Sequence, residues 1–307
     1  MATGPIVVVG SAVVDRVFAV ETLPLPGESA LAETVRTHLG GKGANQAVAA
    51  RRLGAPVVFV GRVGDDDEGR AVAADLASAG VTTHLRTTPG VPTGYAAVLV
   101  DADGENQIAV HLGANDHVGS EALARAAEDL GRASVLLTQL EIPVPTILEA
   151  LEAVGETETL TVLNAAPHRE ETRELVGAFD LVVLNRMEAE QVAEVGIATV
   201  DDALAALRAI KGMGARDAVI TLGPAGAVFF DHGRGALARA PQVETVDSTG
   251  AGDAFVGALA VFLRDGLGVD DAMRRAVFYA SQAVEKPGAR GGYLDREAFE
   301  AIEPDWN

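Results

Sequence analysis

The chain has 307 residues, 48% of them apolar and 22% charged, and no cysteine. That balance supplies a large core and is too apolar for disorder, and the missing cysteine excludes disulfides, thiolate metal sites and cysteine nucleophiles. A formal charge of −20 argues against non-specific nucleic-acid binding and docking on anionic lipid, although converging backbone N–H groups can still gather a phosphate.

The first segment, Met1–Gly10, lacks a basic targeting region, and no uncharged apolar run approaches 18 residues, so a soluble, cytoplasmic protein is expected. Pro5–Gly10, Pro56–Val60, Val135–Leu137, Leu160–Leu163, Leu181–Leu184 and Ala218–Leu222 are short runs of Val, Ile and Leu. Runs that are apolar at every position predict strands buried on both faces of a parallel sheet. Helical periods lie between them. Asn45–Leu53 stops at Gly54, Glu68–Ala79 at Gly80, and Ser120–Leu130 opens on a capping serine and stops at Gly131. Strand and helix in alternation predict a three-layer α/β/α sandwich around a mainly parallel sheet, as one domain over residues 1–307. Val13–Val20, Ala30–Thr37, Tyr95–Val100 and Asn106–Val110, the last two flanking the turn Asp101–Gly104, alternate apolar and polar residues. They predict antiparallel hairpins with one wet face, forming a small second sheet from about 13–38 and 94–112 that serves as a lid.

Two glycine-rich segments carry the chemistry. Asp247–Phe255 (DSTGAGDAF) follows an expected strand end at Gln242–Val246. It opens a helix with apolar positions Phe255, Val256, Leu259, Phe262 and Leu263. Gly250, Ala251 and Gly252 let N–H groups converge at a helix N-terminus, where an anion is favoured. Asp253 there either caps the helix or takes a proton from an attacking hydroxyl while the N–H groups stabilise a transferring phosphoryl group. The loop is neither a Walker A motif nor a dinucleotide fingerprint. Gly40–Gln46 (GGKGANQ) also precedes a helix. It reads either as a turn with a solvated lysine or as a binding loop presenting Lys42 and Asn45. The six histidines have no metal-binding spacing.

Together the two segments resemble the ribokinase (PfkB) family of carbohydrate kinases. Gly64–Gly69, Gly104–Asn115, Gln139–Pro143, Asn185–Glu188, Thr221–Gly226 and Lys286–Arg290 add matches in order, from Val8 to about Gly291. The resemblance implies phosphoryl transfer from ATP to a sugar hydroxymethyl group. Asp253 would be the base, Gly250, Ala251 and Gly252 the anion hole, and Asp15, Gly41, Lys42, Asn45, Glu141 and Asp253 the sugar site. Asn185, Thr221, Gly223 and Gly252 would face the nucleotide, with Asn185 and Glu188 organising Mg²⁺. Asp247, Thr249, Ala283, Lys286 and Gly288 would hold K⁺, with Gly292 standing where a serine often completes that shell. Val13 stands where ribose-specific members typically carry asparagine. Val13 speaks for deoxyribose, but the retained Asp15, Lys42, Asn45 and Glu141 keep ribose as the first expected substrate, with deoxyribose, another sugar or a nucleoside as alternatives. A homodimer through the lids is also expected. A non-catalytic sensor on the same scaffold is the competing reading, and the intact Asp253 and glycine loop argue against it.

Overall fold

The computed structural model describes residues 4–102, 105–155 and 157–304. Thirteen strands run in chain order among them: β1 (Ile6–Val9), β2 (Val13–Val20), β3 (Ala32–Gly40), β4 (Val57–Gly64), β5 (Thr82–Thr88), β6 (Gly94–Val100), β7 (Asn106–His111), β8 (Val135–Gln139), β9 (Leu160–Asn164), β10 (Leu181–Asn185), β11 (Asp217–Thr221), β12 (Ala227–Asp231) and β13 (Arg234–Ala238). Seven helices have eight or more residues: α1 (Lys42–Arg52), α2 (Asp67–Ser78), α3 (Val144–Val154), α4 (Arg186–Ala193), α5 (Val200–Gly212), α6 (Ala251–Arg264) and α7 (Val269–Ala283).

Nine strands form one sheet in the order β13-β12-β11-β10-β9-β8-β1-β4-β5, and every pairing from β11 to β5 is parallel. Successive residues of one strand enter different cores. Ile6 and Val8 join the layer containing α1, α6 and α7, whereas Val7 and Val9 join the layer containing α3, α4 and α5. Period-two alternation with both faces covered makes such a strand read as continuously apolar. The three-layer expectation is met for this reason.

The second sheet has the order β3-β2-β6-β7. Its β2–β3 and β6–β7 pairs are antiparallel as expected, but β2 and β6, which join the two hairpins, run parallel. Asn115 anchors the start of β2: Ala12 N donates to its Oδ1 (3.0 Å) and its Nδ2 donates to Ala12 O (2.9 Å). The predicted turn at Asp101–Gly104 includes residues 103 and 104, which lie outside the described residues.

Two further expectations are corrected. The helix expected at Ser120–Leu130 is two pieces, Ser120–Arg125 and Ala127–Gly131. Its N-cap is Gly119, with no side-chain cap from Ser120. The break lies at Ala126, whose N–H bonds to Leu123 O three residues back and tightens that turn out of α geometry. Gln242–Val246 is not a strand. The N–H groups of Val246 and Asp247 both donate to Val284 O, so the segment hangs on the end of α7 instead of joining a ladder. Strands β5, β12 and β13 escaped the pattern. β5 (TTHLRTT) is a mostly polar edge strand, and the other two form a short antiparallel extension. No helix among the described residues is long and apolar enough to cross a membrane.

Candidate active site

The polar residues of the site stand where the parallel strands end. Gln139 pairs with Asn164 at the C-terminal ends of β8 and β9, and Asn185 pairs with Thr221 at those of β10 and β11. Open α/β sheets place their binding crevice there, because the loops leave and the helix N-termini arrive at that edge.

Helix α6 begins there. Its N-cap, Gly250, is in the left-handed region (φ +77°), and a Cβ at this position would lie 2.2 Å from Ala289 O, so only glycine fits. Tyr293 Oη donates to Gly250 O (3.0 Å) and holds the turn. The Ala251 N–H is already used, donating to Ser248 O (3.2 Å). Among the described residues, the N–H groups of Gly252 and Asp253 have no partner and are the donors left for an anion.

Asp253 does not cap the helix. It lies in the first turn, where no side-chain cap bond is made, and is 8% exposed. Asn45 Nδ2 donates to its Oδ2 (2.9 Å) and Gln46 Nε2 to its Oδ1 (2.9 Å). Gln46 also donates to Asn164 Oδ1 (2.9 Å) and accepts from Gln139 Nε2 (2.7 Å). Arg290 Nε donates to Asn45 Oδ1 (2.6 Å). Two adjacent side chains of α1 thus hold both oxygens of the carboxylate.

Asp15, Lys42 and Glu141 gather near Asp253, close enough for their charges to act on one another. Glu141 Oε2 accepts from Ser11 Oγ (2.5 Å) and from the Lys42 N–H (3.1 Å). Gly41, at φ +89°, passes so close to β2 that a Cβ would lie 2.7 Å from Val13 N. Burial first, then the Glu141 carboxylate, raises the Asp15 pKa from its ordinary 3.8 to about 6. Burial works against the Lys42 ammonium, but Asp253, Glu141, Glu188 and Asp15 outweigh it and hold the lysine above its usual pKa. Val13 shares the Asp15 face of β2 by strand alternation and is 3% exposed.

A cleft of about 130 Å³ is lined by Lys42, Asn185, Glu188, Thr221, Gly250, Gly252 and Asp253. It opens beside a larger, mainly apolar cavity of about 550 Å³ lined by Thr221, Gly223, Ala251, Gly252, Phe255 and Val284 among others. The Asn185–Glu188 pair forms a capping box at the start of α4: Asn185 N donates to Glu188 Oε2 (2.8 Å) and Glu188 N to Asn185 Oδ1 (2.9 Å). Burial raises the Glu188 pKa despite the Asn185 N–H and the Lys42 charge.

No group of three or more acidic, histidine or cysteine side chains among the described residues is arranged to hold a metal. One carboxylate facing a phosphate-sized cleft still fits Mg²⁺, which commonly binds through one or two carboxylates with substrate phosphates and water. Asp247 accepts from Thr249 N (2.9 Å) and Gly288 N (2.8 Å). Its pKa stays low, because hydrogen bonds from Thr249 and Gly288 together with the nearby His38 outweigh its burial. An ionised carboxylate among main-chain turns suits a hard cation. Lys286 is exposed in the same turn as Gly288. A Cβ at Gly292 would lie 2.3 Å from Ala283 O, so no side-chain hydroxyl enters here without moving that carbonyl.

The structure thus brings Lys42, Asn45, Glu188 and Asp253 to one centre, and sequence reasoning missed Ser11, Gln46, Gln139, Asn164 and Arg290 around it. A polar residue inside an otherwise apolar helix face was the available signal for Gln46. Arg290 ends the matched segment Lys286–Arg290, but nothing there pointed to its partner Asn45, 245 positions away.

A crevice at the strand ends, a carboxylate in the first turn of a helix and free N–H groups beside it define a phosphotransferase-type site. The model of the PfkB family of carbohydrate kinases matches residues 4–296. A ribokinase of Bacillus subtilis is 35% identical over 298 residues, covering 97% of this chain and 98% of its own. A deoxyribokinase of Salmonella typhi is 33% identical over 296 residues (96% and 97%). The structure of Arabidopsis thaliana ribokinase complexed with ribose and ATP superposes with a TM-score of 0.88 at 32% identity, covering 98% of both chains. The chain belongs to the PfkB family and is a carbohydrate kinase.

Proposed function

We propose that this kinase transfers the γ-phosphoryl group of ATP to the 5-hydroxyl of D-ribose and discriminates weakly against 2-deoxyribose. The observation that carries this reading is Asp253: a buried carboxylate held by two amides, beside unpartnered N–H groups and facing a cleft. In the proposed reaction the nucleotide base occupies the apolar cavity by Thr221 and Gly223, and the phosphates point at Gly250–Gly252. Asp15, Gly41, Asn45 and Glu141 hold the sugar, with the small sheet as lid over one catalytic domain. Asp253 takes the proton of the 5-hydroxyl, the sugar oxygen attacks phosphorus, and ADP leaves. Lys42, kept charged by its carboxylate neighbours, faces the transferring group. Asn185 and Glu188 would hold Mg²⁺ and its waters, which would neutralise phosphate charge. Asp247, with main-chain oxygens of Thr249, Ala283, Lys286 and Gly288, would hold K⁺ and stiffen the turn behind the anion hole, without a serine at 292.

Val13 supports the weak discrimination. A ribose hydroxyl turned toward a valine loses water and gains no partner, at a cost of about 1–3 kcal/mol, or roughly 10–100-fold in affinity. ADP release should be measured with ribose, 2-deoxyribose and a nucleoside, for wild type and Val13→Asn. The expected result is turnover of both pentoses, with the variant shifted toward ribose. Wild-type preference for ribose above about a thousandfold, or turnover of the nucleoside alone, would reject the reading.

A further inference from the structure

We propose that Arg290 is a positioning residue for the phosphoryl transfer: it fixes which end of the Asn45 amide faces Asp253 and so sets the orientation of the carboxylate. This rests on the reading of Asp253 as the base. Hydrogen-bond polarity decides how the amide is turned. A guanidinium only donates and an ionised carboxylate only accepts. Asn45 sits between the two and is 5% exposed, with its Oδ1 on Arg290 Nε at 2.6 Å and its Nδ2 on Asp253 Oδ2 at 2.9 Å. Turned the other way, the amide would set oxygen against carboxylate and NH₂ against guanidinium. Both contacts would be repulsive in a buried place.

Arg290 is itself held. Its terminal nitrogen pairs with the Asp75 carboxylate of α2, and the arginine side chain is only 14% exposed. A chain of charge-assisted contacts therefore runs Asp75–Arg290–Asn45–Asp253, across α2, the loop after α7, α1 and α6. The second oxygen of Asp253 is fixed by neutral amides, Gln46 backed by Gln139 and Asn164. Only the Asn45 arm ends on charges. Arginine presents its Nε and terminal nitrogen at a fixed angle, so one side chain meets both Asn45 and Asp75. The single head of a lysine cannot occupy both positions.

Arg290 also follows Ala289, whose carbonyl packs on Gly250, so a loss of activity on substitution could come from the loop alone. A double-mutant cycle separates the two routes. Turnover with ribose and thermal stability should be measured for Arg290→Met, Asn45→Ala, the double variant and Asp253→Asn. Each of the first two is expected to lower kcat about tenfold or more, with the double variant within about twofold of the worse single. Multiplying effects, or an Arg290→Met variant within twofold of wild-type kcat, would overturn the proposal. A purely structural role would lower the melting temperature in both backgrounds and show no coupling in kcat. If Arg290→Met does not fold, Asp75→Asn asks the same question with the loop intact. It should lower kcat severalfold in wild type and not in Asn45→Ala, and an equal effect in both would overturn the proposal. Near-normal turnover in Asp253→Asn would reject the base itself. A loss of roughly 10²–10⁴-fold there, combined with multiplying effects of Arg290 and Asn45, would reject only the positioning role.

Discussion

Asp15 and Asp253, near enough for the charge of one to act on the other, are carboxylates in opposite situations. Asp253 has an amide donor on each oxygen, whereas Asp15 accepts no hydrogen bond among the described residues and stands near Glu141. Its pKa of about 6 has a thermodynamic consequence. Well below pH 3.8 the group is protonated whether the chain is folded or not. Between the ordinary 3.8 and about 6 the unfolded chain ionises first, so the folded state binds the extra proton and stability falls as pH rises. Above 6 the destabilisation is complete. Asp15→Asn should therefore raise the melting temperature at pH 8, by roughly a few degrees, and the gain should shrink as the pH is lowered toward 4, as followed by calorimetry. The same variant should raise KM for the sugar, because the ionised form is the one that accepts from hydroxyls. Wild-type KM should likewise rise as the pH falls below about 6.

At the scale of the element, α6 and its glycines show how a helix start becomes a site. The apolar positions of α6 were legible in the sequence because they follow the helical period, and Phe255, Val256, Leu259 and Phe262 are indeed buried. The role of Asp253 was not legible, since a first-turn aspartate looks the same whether it caps the helix or faces a cleft. Its partners on α1 decide between them. Gly250 and Gly252 look equivalent in sequence but differ in the structure. Gly250→Ala meets Ala289 O and a left-handed backbone, and should cost at least about 1–2 kcal/mol in denaturant unfolding. Gly252 has no positive φ and nothing within 4 Å of a Cβ, yet it lines both cavities. Gly252→Ala should leave stability unchanged or slightly raised while raising KM for ATP and lowering kcat. A stable, fully active Gly252→Ala would mean that the phosphates lie elsewhere.

At the scale of the molecule, the small sheet is the part least covered by the rest of the chain. Every residue of β7 is exposed, and the register puts Val98, Ile108 and Val110 on the face that carries Asp15. Ile108 is 59% and Val110 51% exposed. An apolar patch on the face that carries Asp15, beside the proposed sugar site, invites a copy of itself, and a two-fold dimer would bury both faces at once. We expect a dimer in sedimentation velocity, and expect Ile108→Asp to yield folded monomers with a higher sugar KM, since Asp15 then stands on an unsupported strand. A wild-type monomer at micromolar concentration with normal KM would dismiss this arrangement.

The sequence by itself determined the doubly buried strands, most of the helices between them and the demands of single positions, but not the polar edge strand β5 or the β12–β13 extension. Runs of Val, Ile and Leu specified strands buried on two faces, glycines at 54 and 80 ended helices in left-handed turns, and the two glycine-rich loops marked where a backbone could approach a ligand. These are local properties, encoded in periodicity and in which residues tolerate positive φ. Only the tertiary structure decided how polar residues share their hydrogen bonds. Asn45, Asp253 and Arg290 are separated by about 200 residues or more of chain from 45 to the other two, and they meet because the strand order brings α1 and α6 onto the same face of the sheet. Local pattern carries no information on such contacts. Their polarity is set by which charged groups the fold buries side by side.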